Sequence, residues 1–180
     1  ICQGESTRLD AGPGFNEYRW STGETTQTIV AKDSGDYTVQ VRGGTSNCIS
    51  LPSNIVTVRV HPLPSASFAG PLAICINFTT SYVAGKMPNV KYEWNIAGGG
   101  GLLLDGQGTD SITVRWGPVQ SAGIVQLRVT DTITSCSKDT LLAIMVGTVL
   151  SPTIQTSRST LLCPGDSVTL DAGGGYDIYR

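Results

Sequence analysis

The sequence predicts an all-β protein made of consecutive antiparallel β-sandwiches, and three observations support this fold class. Residues 2–19 return without a gap as residues 163–180, with ten of the eighteen positions identical. Charged residues make up only 14% of the chain while glycine is frequent, which is typical of short strands joined by turns. Several segments alternate apolar and polar residues. Because self-similarity at a fixed offset indicates a reused structural unit, we expect a tandem array.

The first domain is predicted over residues 1–61. Leu9 lies on a first strand, and Trp20 lies on the inward face of the next strand by the two-residue period of β-structure. A turn-forming segment then leads to Tyr37 and Val39, which alternate with polar residues. We expect these four side chains to form the core.

The second domain is predicted over residues 65–148. Tyr92, Trp94 and Trp116 fall on inward phases of alternating strands. Residues 98–101 are four consecutive glycines, but a phosphate-binding loop would need a following lysine and a serine or threonine, and leucines follow instead. The glycine run is therefore interpreted as a flexible loop between strands.

Proline-containing segments separate the predicted domains. His61, the only histidine, opens the sequence HPLP, which favours a short, semi-rigid spacer. A general base needs partners, and none is evident near His61. Residues 152–180 are predicted to begin a further, incomplete domain of the first type, which we expect to continue beyond Arg180.

The first domain resembles an immunoglobulin-like sandwich. The segment 33–37 (DSGDY) is similar to the tyrosine corner of that family, in which a tyrosine hydroxyl binds the backbone a few residues upstream. Where antibody domains have their cysteine pair between the sheets, this sequence has Leu9 and Val39. The resemblance therefore implies an apolar core around Trp20.

The second domain resembles the PKD-like domains found in tandem in cell-surface proteins of Bacteroidetes. The matching features are Cys75, the motif of Tyr92 and Trp94, the glycine-rich loop, the strand 111–116 (SITVRW) and Cys136. The resemblance implies a stalk segment of a large secreted adhesin, similar to the gliding-motility adhesins exported by the type IX secretion system.

Several partners and properties follow from this resemblance. The expected partners are neighbouring repeat domains of the same chain and the secretion and motility machinery, with a surface polysaccharide or other substratum bound through regions outside this sequence. The expected location is the outer cell surface. An alternative is a carbohydrate-binding or spacer module of a secreted hydrolase, which predicts a flat platform of exposed aromatic rings. An enzyme is the third hypothesis.

The five cysteines suggest disulfides and an oxidising location rather than a metal site. Because both domains place one cysteine near the start and one near the end, repetition suggests the pairs Cys2–Cys48 and Cys75–Cys136. Cys163 would then pair with a residue beyond this sequence. A rival scheme joins successive domains, for instance through Cys2 and Cys136, because the intradomain positions can fall at opposite ends of a sandwich.

The remaining candidates for chemistry are few. With one histidine, a catalytic triad is nearly excluded, and we expect no catalytic residue and no cofactor. Two aspartate pairs, Asp33 with Asp36 and Asp105 with Asp110, have oxygens that calcium prefers, although aspartate in turns explains them more simply. The net charge of −2 and the lack of a basic cluster argue against nucleic acid, and no apolar run is long enough to span a membrane.

Four tripeptides match the Asp-Ser/Thr-apolar pattern of bacterial O-glycosylation. Aspartates in turns that precede strands opening with serine or threonine explain the same excess equally well. The candidate acceptors are Ser111, Thr132, Thr140 and Ser167.

Overall fold

The computed structural model describes residues 1–43, 48–118, 121–148, 150, 152–157, 161 and 163–175. Within these residues the regular structure consists of β-strands and no helix, so the predicted all-β class is confirmed. The same residues accordingly contain no helix with the length and apolar character needed to cross a membrane. Two separate apolar cores form, one in the N-terminal region (residues 1–60) and one in the second region (residues 61–148).

Short strands pair two by two in the N-terminal region. Their bounds are Thr7–Asp10 (β1), Glu17–Trp20 (β2), Thr28–Ala31 (β3), Gly35–Tyr37 (β4), Val39–Arg42 (β5) and Val56–Val58 (β6). The antiparallel pairs are β1 with β3, β2 with β5 and β4 with β6. Burial alternates along β1, β2 and β3 as the sequence predicted, whereas all four residues of β5 are half-buried.

The N-terminal core is small and is centred on Trp20. Its buried members are Trp20, Ile29, Ala31, Tyr37 and Val58. Leu9 and Val39 are half-buried and pack against this cluster, and Val39 lies directly opposite Trp20 in the β2–β5 pair. The indole therefore occupies the position that the sequence assigned to it.

The second region is a sandwich of two four-stranded sheets. Its strands are Phe68–Ala69 (β7), Ala73–Cys75 (β8), Thr79–Ala84 (β9), Val90–Gly98 (β10), Leu102–Asp105 (β11), Ser111–Arg115 (β12), Ser121–Asp131 (β13) and Ser137–Gly147 (β14). One sheet has the order β10-β13-β14-β8 and the other β11-β12-β9-β7. The pairs are antiparallel except β8 with β14, which run parallel.

Both sheets of the second region contribute to one large core. Trp94 and Trp116 are buried with Tyr92 and Tyr82, and branched aliphatic side chains fill the space between the sheets. The aliphatic and small members are Ala66, Ala84, Ile112, Val114, Val125, Leu127, Val129, Ile144 and Val146. Alternation along β12 and β13 places five of them inward, namely Ile112, Val114, Val125, Leu127 and Val129.

The glycine run forms a defined turn against Trp116. A Cβ atom on Gly99 or Gly101 would lie 2.9 or 2.8 Å from the indole, and a Cβ on Gly123 would lie 2.3 Å from it. Real Cβ contacts are not this short, so the ring needs glycine at all three positions. Gly99 also has a positive φ of 59°, which glycine tolerates best. The run in residues 98–101 is thus explained by packing of the indole.

The sequence repeat is reproduced as local structure. The backbone N–H of Cys2 donates to the Glu5 carboxylate at 2.9 Å, and that of Cys163 donates to the Asp166 carboxylate at 3.1 Å. Asp10–Gly12 and Asp171–Gly173 likewise share one hydrogen bond, from the glycine N–H to the aspartate Oδ1 at 2.9 Å. The repeated sequence therefore forms the same local turns in both copies.

The described part of residues 152–175 contains one pair of short strands. Gln155–Thr156 (β15) pairs antiparallel with Leu170–Asp171 (β16). Residues 158–160, 162 and 176–180 of the predicted third domain lie outside the described residues. The extent of that domain stays a prediction.

Candidate functional site at the joint between the two cores

The start of the chain is bound alongside the end of the N-terminal region. Cys2 forms a parallel bridge with His61. The Gln3 N–H donates to the His61 carbonyl at 2.8 Å, and the His61 N–H donates to the Ile1 carbonyl at 3.0 Å. The backbone nitrogen of Ile1 donates to the Arg59 carbonyl at 3.0 Å. His61 thus makes a strand-like contact with the first residues of the chain, in addition to opening the predicted spacer.

The turn between β13 and β14 is ordered by Asp131. One oxygen of its carboxylate accepts the backbone N–H groups of Ile133 at 2.8 Å and Thr134 at 2.9 Å. These hydrogen bonds lower the pKa of Asp131, and the bond from the Thr134 N–H contributes most. The charge of His61 lowers the pKa as well, but it contributes least. The Asp131 N–H donates to the Cys136 carbonyl at 2.8 Å, which closes the turn.

A second turn of the same sandwich lies beside the first. The carbonyl of Asn89 accepts both the backbone N–H of Thr132 at 2.8 Å and its hydroxyl at 2.9 Å. Asn89 has a positive φ of 56°, a conformation that asparagine adopts more readily than most residues. The two turns therefore form one end of the second region.

A disulfide between Cys2 and Cys136 joins the two regions at this end. The two Cα atoms are 5.5 Å apart, and the bond closes a loop with a sequence separation of 134. Cys136 is fully buried and Cys2 is half-buried. The expected pairs Cys2–Cys48 and Cys75–Cys136 are therefore wrong, and the rival scheme that joins successive domains is the one observed.

Strand geometry explains why Cys75 and Cys136 do not pair. Cys75 lies opposite Gly147, at the last residue of β14, whereas Cys136 directly precedes its first residue. The strand has eleven residues, which at about 3.3 Å per residue places these ends roughly 35 Å apart. A disulfide needs Cα atoms within about 7 Å.

The same argument applies to Cys2 and Cys48. Cys2 bridges His61 at the joint, whereas Cys48 directly precedes a segment that bridges Arg42, the last residue of β5. Arg42 pairs with Glu17 at the start of β2. Glu17 follows β1 in the chain, and β1 runs away from the joint. The two cysteines therefore lie toward opposite ends of the N-terminal region.

Cys75 occupies the position in the second region that Cys2 occupies in the first. The N–H of the residue after Cys75 donates to the Gly147 carbonyl at 2.8 Å, as the N–H after Cys2 donates to the His61 carbonyl at 2.8 Å. Each cysteine lies in a segment that pairs in parallel with the segment by which the chain leaves that region. Cys163 begins the third copy of this turn, and its predicted partner lies outside the sequence.

Tyrosine and tryptophan side chains fix the backbone of both regions. The Tyr37 hydroxyl donates to the Asp33 carbonyl at 3.0 Å, which is the hydrogen bond of a tyrosine corner. Tyr18 and Tyr92 donate in the same way to upstream glycine carbonyls, each at 2.8 Å. The role of Tyr18 was not predicted, although its spacing from Trp20 matches that of Tyr92 from Trp94.

The indole rings are not available to form a binding platform. Trp20 is 8% exposed, Trp94 3% and Trp116 is fully buried. The Trp20 and Trp94 indole N–H groups donate to the carbonyls of Thr26 at 2.8 Å and Thr109 at 2.9 Å. The platform that the carbohydrate-binding alternative predicts cannot be built from these three rings.

Gln107 covers the edge of the sheet at Trp94, which the sequence did not reveal. Its amide oxygen accepts the Trp94 backbone N–H and its amide nitrogen donates to the Trp94 carbonyl, both at 2.9 Å. β10 is the outer strand of its sheet. The side-chain amide thus satisfies backbone groups that a further strand would otherwise bind.

The candidate calcium ligands take part in hydrogen bonds within the protein. The Asp36 carboxylate accepts the Thr57 hydroxyl at 2.6 Å, and the Asp105 carboxylate accepts the Gly106 N–H at 2.8 Å. Asp33 and Asp110 contribute backbone carbonyls to hydrogen bonds. Across the described part of the chain, no three histidine, cysteine or acidic residues lie close enough together to hold a metal ion. Calcium binding stays an untested expectation.

The candidate glycosylation residues differ in accessibility. Thr132 is exposed in the turn beside the disulfide, and Ser167 is exposed in the third segment. Ser111 and Thr140 are half-buried within β12 and β14. Modification of any of them stays a prediction, with the exposed positions favoured sterically.

An open cleft in the N-terminal region contains Arg8, Asp10, Trp20 and Asn54. The Asp10 carboxylate accepts hydrogen bonds from the Gln27 amide and the Gly12 N–H, both at 2.9 Å. These bonds, the Gln27 amide first, lower the pKa of Asp10. A carboxylate of this kind stays ionised at neutral pH, which does not suit it to act as a general acid.

Comparison with known proteins finds a similarity in the second region. Residues 61–146 match the family model described as a PKD-like domain. No curated protein matches the chain. One similar solved structure is the surface glycan-binding protein SGBP-B of the mixed-linkage glucan utilization locus of Bacteroides ovatus, in complex with a mixed-linkage heptasaccharide. It has 11% sequence identity and a TM-score of 0.27, and the match covers 82% of this chain and 43% of that one. The present chain thus spans less than half of that protein, and its residues 61–146 are similar to a PKD-like domain.

Proposed function

We propose that the chain is a non-enzymatic stalk segment of a large secreted adhesin on the outer cell surface, which holds a distal binding region away from the cell for attachment and gliding motility. The observation that carries this proposal is the Cys2–Cys136 disulfide, which links two apolar cores across their joint. A covalent link between successive cores restricts bending at the linker that follows His61. A restricted joint is what a projecting segment requires.

The interior of both regions supports a structural role. The buried aromatic side chains pack in the cores, and several of them donate hydrogen bonds to the backbone. The described carboxylates with lowered pKa values accept hydrogen bonds in turns or form ion pairs at the surface. The PKD-like match adds support for a non-catalytic module. The proposed partners are neighbouring repeats of the same protein, the type IX secretion and motility machinery, and a substratum bound through other parts of the protein.

The test is an in-frame deletion of residues 1–148 in the organism of origin. An antibody against this segment should label intact cells, and the deletion should shorten the surface projections seen by electron microscopy. Attachment should fall while soluble tip fragments bind as before. Labelling only after lysis would contradict the surface location. Binding of polysaccharide by the purified segment would favour the carbohydrate-binding alternative instead.

A further inference from the structure

The covalent path from one end of the chain to the other bypasses most of both cores. From Cys2 the path can cross the disulfide directly to Cys136, and residues 3–135 then form a closed loop beside it. This loop contains the whole N-terminal core, the linker after His61, and every strand of the second region except β14. We infer that tension along the chain runs through the Cys2–Cys136 disulfide and strand β14, so that neither core needs to resist it.

The position of Cys136 makes this path nearly straight. Cys136 directly precedes Ser137, the first residue of β14, and tension would leave the strand at Gly147. An extended strand is already close to its maximum length per residue. Stretching it from both ends therefore gains almost no length and does not shear its hydrogen bonds to β13.

The chain would behave differently without the disulfide. Tension that enters at Ile1 would first break the contacts of Ile1 and Gln3 with residues 59–61, and would then pull on β1. The N-terminal region has only two-stranded pairs and a small core to resist this pull. Opening the loop, which has a sequence separation of 134, would release up to about 440–480 Å of extended chain.

The environment of the disulfide suits a bond that must persist. Reduction requires a thiolate to reach one of the sulfur atoms. Cys136 is fully buried and Cys2 is half-buried. Forming the bond removes two protons and two electrons from the thiols, which a disulfide oxidant of the export compartment would accept.

The test is single-molecule stretching of the 180-residue chain between handles at its two ends. The oxidised chain should not extend by the roughly 440–480 Å of chain that the loop contains. Addition of a reductant should break the bond and release that length. Cys2→Ala and Cys136→Ala should show the release without reductant, whereas Cys163→Ala should behave as the wild type. Reduction during stretching provides the same comparison if the alanine variants do not fold.

Two results would overturn the inference. One is release of the loop length from the oxidised chain before any reductant is added. The other is a non-reducing peptide map that lacks the Cys2–Cys136 pair. The value of this path to the organism rests on the proposed stalk function, but the path itself does not. Absence of the segment from the cell surface would remove the stalk and leave the stretching result unchanged.

Discussion

The two regions share the same aromatic framework but differ in how much sheet surrounds it. Tyr18 and Trp20 in the first region make hydrogen bonds of the same kind as Tyr92 and Trp94 in the second. The first region surrounds them with strands of three or four residues, whereas the second has strands of up to eleven. The same framework thus forms within a small sheet and within a large one.

The disulfide offsets part of this difference. In the chain-entropy model, closing a loop of this size would stabilise the folded state by about 5 kcal/mol. Because the loop includes both cores, this gain is shared between them. Substitutions in the two regions test this comparison.

Trp116→Ala should have the largest effect. The side chain is fully buried in the larger core, and loss of a buried tryptophan typically costs about 3–5 kcal/mol. Denaturant unfolding of the oxidised protein measures the change. Phe78→Ala, at a ring that is 54% exposed, is the control and should change stability by less than about 1 kcal/mol. Equal effects would contradict the placement of Trp116.

Gly123→Ala should come next. The added methyl group would lie 2.3 Å from the Trp116 ring, and such overpacking typically costs about 1–3 kcal/mol. Gly85→Ala is a matched control, because nothing lies within 4 Å of its added methyl group. A stable Gly123→Ala variant would mean that the indole is free to move.

Replacing tyrosine with phenylalanine compares the two regions directly. Tyr92→Phe removes a hydroxyl that donates to Gly85 and accepts the Met87 N–H, so it leaves a backbone donor without its partner. We expect it to cost about 1–3 kcal/mol, against about 0.5–1.5 kcal/mol for Tyr37→Phe, which loses one bond to Asp33. Thermal unfolding measures both. The reverse order would show that the smaller region depends more strongly on its tyrosine.

Acid should weaken the joint through Asp131, with the smallest effect. Hydrogen bonds lower the pKa of Asp131 below its usual 3.8. The contribution of Asp131 to the stability of the folded state is therefore fully present above pH 3.8. The contribution is lost as the pH falls through the lower, folded-state value. Nuclear magnetic resonance titration of the side chain should give a midpoint under 3.8. A midpoint at or above 3.8 would mean that the turn does not hold the carboxylate as described.

The sequence was sufficient for features that depend on local pattern. Alternation placed Trp20, Trp94 and Trp116 on the inward faces of strands, and the five-residue corner motif located the Tyr37 hydrogen bond. The repeat at residues 2–19 likewise reproduced the same turns in its second copy. Each of these depends on residues close together in the chain.

Features that depend on strand length and order were missed. The cysteine pairing follows from which ends of the strands meet, and the spacing of Cys2, Cys48, Cys75 and Cys136 does not contain that information. The glycine run at residues 98–101 was interpreted as a flexible loop because Trp116, which requires it, lies fifteen positions further along. Gln107 was missed because a surface glutamine has no distinctive pattern.

The Gln107 amide has a consequence for molecules that are crowded together. An outer strand that is nine residues long and otherwise open would invite the backbone of a neighbouring copy to align with it. Since one amide already occupies both polar groups of Trp94, such an alignment is interrupted near its centre. Copies of this region that lie side by side would then not join edge to edge into a continuous sheet along β10.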